Sequence, residues 1–192
     1  AQTPLDNRVK SITHIYNSFI DRNDPKRNFG SLDGTEEMDN FLKDCDMEGR
    51  TRHSFMRDVN LMSTVSGHCV VLIDRPETVV GTRGEDFEPG IRPYATLYTP
   101  ENVIKWNWER LPNGHYELNF LQLLEKEDRT YAEATQYYLR TWTKEQIILV
   151  TDEPKKAKTT EVVETTPIPI GQIPAVWFYA SRSPIKGIGV SD

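Results

Sequence analysis

The chain has 192 residues, with 23 Lys and Arg against 29 Asp and Glu, a formal net charge of −6 and two cysteines. That length suits one domain or two small ones, and no run approaches the ~20 consecutive apolar residues of a membrane helix. The negative charge disfavours a protein that coats DNA, because duplex binding depends on neutralising phosphates. Two cysteines are too few for a disulfide scaffold and predict free thiols in a reducing compartment.

The first third of the chain predicts three helices. Thr35 is a candidate N-cap for a second helix that Gly49 closes, and Thr51 or Ser54 opens a third helix that ends at Gly67. The first helix comes before an Asp-Pro pair, and its apolar residues recur at spacings of three and four, which places them on one helical face. These residues are Val9, Ile12, Ile15, Tyr16, Phe19 and Ile20.

Strands are predicted after Gly67. Residues 68–74 form a short apolar run rich in β-branched side chains, which is typical of a strand buried on both faces. Residues 77–90 are polar and predict a loop, and residues 92–98 predict a second strand. Thr99 followed by Pro100 predicts a short helix with Thr as its cap.

The remaining chain predicts an antiparallel region. Residues 116–125 alternate, residues 137–142 and 147–150 suggest a hairpin, and residues 151–166 read as a loop or an exposed hairpin tip. Residues 175–179 predict a last strand. Helices followed by strands indicate an α+β fold, with a helical part at residues 1–67 and a β-rich part of the same domain at residues 68–192.

Two metal sites can be weighed from spacing. Asp44, Asp46 and Glu48 with Gly49 resemble the first half of a calcium loop, but Phe55 stands where a bidentate Glu is needed. The alternative is an acidic helix end. For zinc, Cys45, His53, His68 and Cys69 are the available ligands. They lack zinc-site spacing, so core cysteines and a His at the start of a strand are favoured, and no metal site is predicted.

Carboxylates offer an enzymatic alternative. The segment Asp152–Lys155 mimics an acid-x-Lys fragment of metal nucleases, yet it lies in a polar tract where solvated charges are the simpler interpretation. Lys155, Lys156 and Lys158 form a small basic cluster that favours a solubilising loop. A metal-dependent hydrolase or nuclease using scattered carboxylates such as Asp74 and Glu101 remains the alternative function. No catalytic or cofactor-binding residue and no cofactor is predicted.

Strand aromatics suggest subunit contacts. About half of them are expected to pack in the core, and the other half are expected to face a partner, because side chains alternate along a strand. The set comprises Trp106, Trp108, Tyr137, Tyr138, Trp142, Trp177, Phe178 and Tyr179.

Four sequence segments, taken in chain order, resemble the portal proteins of tailed bacteriophages. The first is the acidic helix followed by Phe55–Asp58 and Val65–Pro76, which is similar to the family's helix, Gly, strand and "V/I-D-x-P" run. The second is Arg92–Trp106, similar to "R-P-Y … Y-x-x-E-x-I-x-x-W". The third is the strand Leu118–Glu125, and the fourth is Ile170–Tyr179, similar to "L-G-x-I-P-x-V-x-F". The likeness spans residues 35–192.

The resemblance implies a structural subunit without enzymatic activity. Portal subunits form a dodecameric ring at one capsid vertex, through which DNA is packaged and ejected. The expected partners are other copies of the chain, the major capsid protein, the terminase motor, the head–tail adaptor and the double-stranded DNA that passes through; no membrane is involved. The expected location is the virion, after assembly in the host cytoplasm.

Within that family the chain resembles the N-terminal part of the wing. It begins at Ala1 and ends at Asp192, so we expect a piece of a longer subunit whose stem, clip and crown follow. Arg92, Tyr94 and Arg182 are predicted at the subunit interface, because a guanidinium beside a strand end can reach a neighbour's carboxylate. The alternative is an intrachain salt bridge.

Overall fold

The computed structural model describes residues 8–23, 25–76, 92–127, 136–152 and 162–190. The backbone divides into two compact units. The first takes in Ala1–Leu97, Val176–Pro184 and Ile188–Asp192, and the second takes in Tyr98–Ala175 and Ile185–Gly187.

Three α-helices, two 3-10 turns (Gly30–Leu32 and Pro100–Asn102) and ten strands make up the described elements. The helices are α1 (Arg8–Ile20), α2 (Glu36–Lys43) and α3 (Arg52–Ser66). The strands are β1 (His68–Asp74), β2 (Tyr94–Tyr98), β3 (Val103–Arg110), β4 (Tyr116–Glu127), β5 (Gln136–Thr143), β6 (Gln146–Asp152), β7 (Val162–Pro167), β8 (Ala175–Tyr179), β9 (Ser181–Arg182) and β10 (Gly189–Val190).

Local signals set the ends of the helices in the first unit. The hydroxyl of Thr35 accepts a hydrogen bond from the backbone N–H of Met38, and that of Thr51 accepts one from Ser54. Each bond satisfies one of the donors that an α-helix leaves open at its start. Gly67 ends α3 with φ 81°, a left-handed conformation that glycine adopts without a steric penalty.

The core of the first unit lies where α3 meets β1. Phe55 and Val59 of α3 pack with Cys45, Cys69 and Val71. β1 is the middle strand of a three-stranded sheet ordered β2-β1-β8, which explains why it is buried along most of its length. The predicted buried strand at residues 68–74 is therefore confirmed.

The second unit is built on a five-stranded antiparallel meander. Its strands pair in chain order from β3 to β7. Trp142 on β5 lies directly opposite Leu121 on β4 and Ile147 on β6, and all three side chains are buried. Cross-strand neighbours of this kind are the unit from which a sheet gains stability.

The predicted α+β fold is confirmed, and several details differ. The second helix ends at Lys43 rather than Gly49. The segment after Thr99 is a single 3-10 turn without a side-chain cap bond, and β3 begins directly after it. Residues 151–166 were predicted as a loop or an exposed hairpin tip; part of them forms β7, which pairs antiparallel with β6 and whose Val-Val-Glu-Thr-Thr-Pro sequence gives no apolar alternation. Strands β9 and β10, two residues each, were not predicted.

Some predictions fall outside the described residues. These are the loop at 77–90, the acid-x-Lys segment after residue 152 and the cluster Lys155, Lys156 and Lys158. Among the helices that the structure describes, none combines the length and apolar character needed to cross a bilayer.

Candidate functional site

Among the described residues of the first unit, the most exposed large apolar side chains lie on one face of α1. Its five large apolar side chains expose between 56 and 70% of their surface. They lie at positions i, i+3, i+4, i+7 and i+8, which is the stripe that an amphipathic helix normally buries. We call this the α1 face: Ile12, Ile15, Tyr16, Phe19 and Ile20.

The α1 face points outward because the polar side of the helix contacts α3. Asn17 is buried on that side, and the carboxylate of Asp21 accepts a hydrogen bond of 3.0 Å from the Nδ2 of Asn60 on α3. Asn17 and Asp21 are one turn apart, so they share a face opposite the apolar stripe. The usual amphipathic arrangement is thereby inverted.

The size of the α1 face is typical of a binding surface. An aromatic side chain offers about 150–250 Å², so five large side chains at the observed exposure leave on the order of 500 Å². The largest apolar patch on a typical monomer is about 300–600 Å² and often functional. A standard interface buries about 800 Å² on each partner, so this helix would supply more than half of one side.

The predicted interface residues have partners within the chain. Arg92 forms an ion pair of 2.5 Å with the carboxylate of Asp44 and also donates to the Asp44 backbone carbonyl. This is the intrachain salt bridge that was the alternative interpretation for Arg92. The hydroxyl of Tyr94 donates to Asp74 at 3.4 Å.

Arg182 lies on β9 and is exposed. Its guanidinium carbon lies 6.0 Å from the centre of the Tyr179 ring, at the outer limit of a cation–π contact. Of the three predicted interface residues, Arg182 is therefore the one whose side chain is directed mostly to solvent.

The acidic loop after α2 is held by nitrogen donors. The carboxylate of Asp46 accepts from the backbone N–H groups of Glu48 and Arg50 and pairs with the Arg50 guanidinium, while Asp44 accepts from the N–H of Gly49. Burial opposes ionisation of Asp46, but these donors outweigh it and hold the pKa below its usual range. The oxygens considered as calcium ligands are thus used to fold the loop.

Of the four residues weighed as zinc ligands, Cys45, His68 and Cys69 are buried, and His53 is partly buried on α3. Cys45 and Cys69 are fully buried free thiols. Burial is the main cause of their raised pKa values, which are about 11 for Cys45 and about 12 for Cys69. Burial also lowers the pKa of His68, whose Nδ1 accepts a hydrogen bond from the backbone N–H of Gly189. In the described part of the chain, no three His, Cys, Asp or Glu side chains gather in a way that could hold a metal ion.

The carboxylates of the enzymatic alternative do not lie in a described acidic cluster. Asp74 ends β1, where one oxygen accepts from the backbone N–H of Arg75. Glu101 is exposed in the 3-10 turn before β3.

In the second unit, aromatic side chains hold the segment Ile185–Gly187. The ammonium of Lys186 lies 3.9 Å from the centre of the Tyr116 ring and 5.0 Å from that of Trp108. The indole N–H of Trp106 donates to the Lys186 carbonyl at 3.2 Å. We call this arrangement the aromatic clamp. Its rings come from β3 and β4, and only Trp106 and Trp108 were among the aromatics predicted to make contacts.

The other strand aromatics are less exposed than the α1 face. Trp142 and Trp177 are buried, and the remaining members of the predicted set are partly buried. The sequence analysis predicted subunit anchors among the aromatic side chains of the strands. The most exposed large apolar side chains that the structure describes in the first unit lie instead on one face of the helix α1. The three-to-four spacing was visible in the sequence, but spacing alone does not tell which way a helical face points.

No family model matches the chain, and no curated protein matches its sequence.

Proposed function

We propose that the chain is the N-terminal part of the wing region of a portal subunit of a tailed bacteriophage. The four sequence segments that end at residue 179 support this proposal, because they follow the order and spacing of the corresponding segments in portal proteins. In this proposal the protein is a structural part of the ring through which DNA enters and leaves the capsid. Its partners are the capsid protein, the terminase motor and the head–tail adaptor, and it is located in the virion.

The observation that carries the proposal is the α1 face. A helix that packs its polar side inward and exposes five large apolar side chains needs a partner, since such surface favours removal from water. We assign that partner to a second copy of the chain. In a ring each subunit offers one surface to one neighbour and a different surface to the other, so the α1 face meets a separate patch on the next copy.

The charge of the chain suits a conduit. A net charge of −6 limits the number of phosphates that the surface can neutralise, and tight DNA binding requires many such contacts. A ring that lets DNA slide should make few of them. The negative net charge therefore supports a role in which DNA passes through the ring without being tightly bound.

The test is the assembly state of the product of the whole reading frame that contains this sequence. Native mass spectrometry and negative-stain microscopy should find closed rings of identical subunits. Phe19→Asp, which puts a charge at the most exposed position of the α1 face, should weaken association. Loss of a hot-spot contact costs about 2 kcal/mol or more, which is roughly a thirty-fold rise in the dissociation constant.

Val163→Asp provides a matched control. Val163 is 54% exposed on β7, so the chemical change and the starting exposure are similar while the position lies outside α1. Rings should form with this variant as with the natural sequence. A native product that stays monomeric under all assembly conditions would contradict the proposal. If both variants weaken association equally, the ring remains supported but the assignment to the α1 face is wrong.

A further inference from the structure

The turn between α3 and β1 holds the two short strands β9 and β10. The carbonyl of Gly67 accepts a hydrogen bond of 3.0 Å from the backbone N–H of Ala180, the residue before β9. Nδ1 of His68 accepts one of 3.3 Å from the backbone N–H of Gly189 on β10. Gly189 pairs with Arg182 across the two-stranded sheet. Two consecutive residues of the turn therefore anchor both strands of this small sheet.

The backbone of β10 lies directly against this turn. A Cβ built on Gly189 would overlap the carbonyl oxygen of Gly67 and would stand 3.0 Å from the Cβ of His68. Glycine permits such a close approach because it has no Cβ. His68 is only 9% exposed, so its imidazole meets the N–H of Gly189 at a position with little access to solvent.

The hydrogen bond from Gly189 requires a neutral imidazole. A ring nitrogen that accepts a hydrogen bond carries no proton, so the neutral ring of His68 holds its proton on Nε2. Protonation places a second N–H on Nδ1, and two donors then face each other. It also places a positive charge at a buried position, which costs free energy. Both effects are relieved when β10 moves away from the ring and water replaces it.

The surroundings of His68 do not compensate a positive charge. Burial lowers the pKa of His68, and no charged neighbour in the described part of the chain contributes to that shift. Strands β2, β8 and β10 and the last turn of α3 contain no Asp, Glu, Lys or Arg. The titratable or charged side chains on these elements, on β9 and on β1 are Arg52, His53, Arg57, Asp58, Cys69, Asp74, Tyr94, Tyr98, Tyr179 and Arg182. A protonated His68 is therefore stabilised by exposure to water.

We propose that His68 is a pH-sensitive latch, in which protonation of Nδ1 releases β10 from the turn at Gly67 while the α3–β1 core stays folded. The core can persist because its buried cluster draws on α3, β1, β2 and the loop after α2, and includes no residue of β9 or β10. The latch lies in the first unit alone, so it does not depend on the portal assignment.

Hydrogen exchange of individual backbone amides in the full chain, measured between pH 7.5 and 5.5, tests the latch. The protection factor corrects for the direct effect of pH on exchange. In the released state His68 is exposed and takes up a proton near the ordinary pKa of 6.5, so lower pH favours release. The protection factor of the Gly189 N–H should therefore fall by up to about tenfold over this range. The N–H groups of Val70 and Leu72, which are buried on β1, should keep their protection.

His68→Asn is the matched variant, because the Asn Oδ1 can accept from Gly189 in place of Nδ1 but takes up no proton in this range. Its Gly189 protection should not depend on pH. An unchanged protection factor in the natural chain, or a pH dependence that persists in His68→Asn, overturns the proposal. So does an equal loss of protection in β1, which would mean that the whole unit unfolds. If His68→Asn does not fold, the imidazole ¹⁵N signals of the natural chain at pH 7.5 decide: an unprotonated Nδ1 coupled to the amide nitrogen of Gly189 supports the latch, and a proton on Nδ1 overturns it.

Discussion

Gly187 cannot carry a side chain without disturbing the aromatic clamp. A Cβ built on it would lie 2.2 Å from Nε1 of Trp106 and within 2.8 Å of two further indole atoms. Its φ of +90° also lies in the region that L-residues avoid. Gly187→Ala therefore combines a backbone penalty with a steric overlap.

The two contributions can be separated with Gly114→Ala. Gly114 has a φ of +84° and open space where its Cβ would stand, so it carries the backbone penalty alone, about 1–2 kcal/mol. In Gly187→Ala the overlap must also release the segment from the clamp. The segment then loses the hydrogen bond from Trp106, about 0.5–1.5 kcal/mol, and the cation–π contacts of Lys186, about 0.5–1 kcal/mol per ring at an exposed site. We expect Gly187→Ala to lose about 2–3 kcal/mol more than Gly114→Ala.

Urea unfolding followed by tryptophan fluorescence measures both variants. The excess loss of Gly187→Ala should shrink toward zero in a Trp106→Leu background, because the overlapping ring is then absent and neighbouring substitutions are not additive. Equal free energies of unfolding for the two glycine variants would refute the reasoning. So would an excess loss that persists unchanged after Trp106 is removed.

Three further predictions concern the first unit. Burial lowers the pKa of His68 below the ordinary 6.5, so the unfolded chain binds a proton at higher pH than the folded chain does. The free energy of unfolding should therefore fall as the pH drops from 7.5 to 5.5. This pH dependence should be weaker in His68→Gln, and an unchanged dependence would assign it to other groups. Cys45 and Cys69, with pKa values of about 11 and about 12, should react with a thiol reagent at pH 8 only after denaturant is added, and rapid labelling of the native chain would be inconsistent with their burial. Arg92→Ala should lower the free energy of unfolding by about 1–2 kcal/mol, because its charged hydrogen bonds to Asp44 are lost. Urea titration measures this loss. Arg182→Ala, at an exposed position, is the control and should change the free energy of unfolding little.

The elements marked by short-range signals were predictable. Thr35, Thr51 and Gly67 act within one turn of the backbone that they satisfy, and the apolar run at residues 68–74 is long enough to identify a buried strand. The segment containing β7 could be predicted only as a loop or an exposed hairpin tip, because most of its side chains are exposed and an exposed edge strand needs no apolar pattern.

The candidate site was predictable only in part. The spacing of Ile12, Ile15 and Phe19 defines a helical face, but its direction depends on which side of α1 contacts α3. That choice involves Asn60, which is 39 residues away from its partner Asp21, and no local pattern encodes such a pairing.

The division of the chain into units has a consequence for folding order. The meander from β3 to β7 pairs only strands that are neighbours in sequence, so its contacts close short loops and should form quickly. The three-stranded sheet instead joins β1 to β8, which begins about a hundred residues later. During synthesis the meander is therefore complete before β8 leaves the ribosome, and we expect the α3–β1 core to wait with one sheet edge unpaired until then.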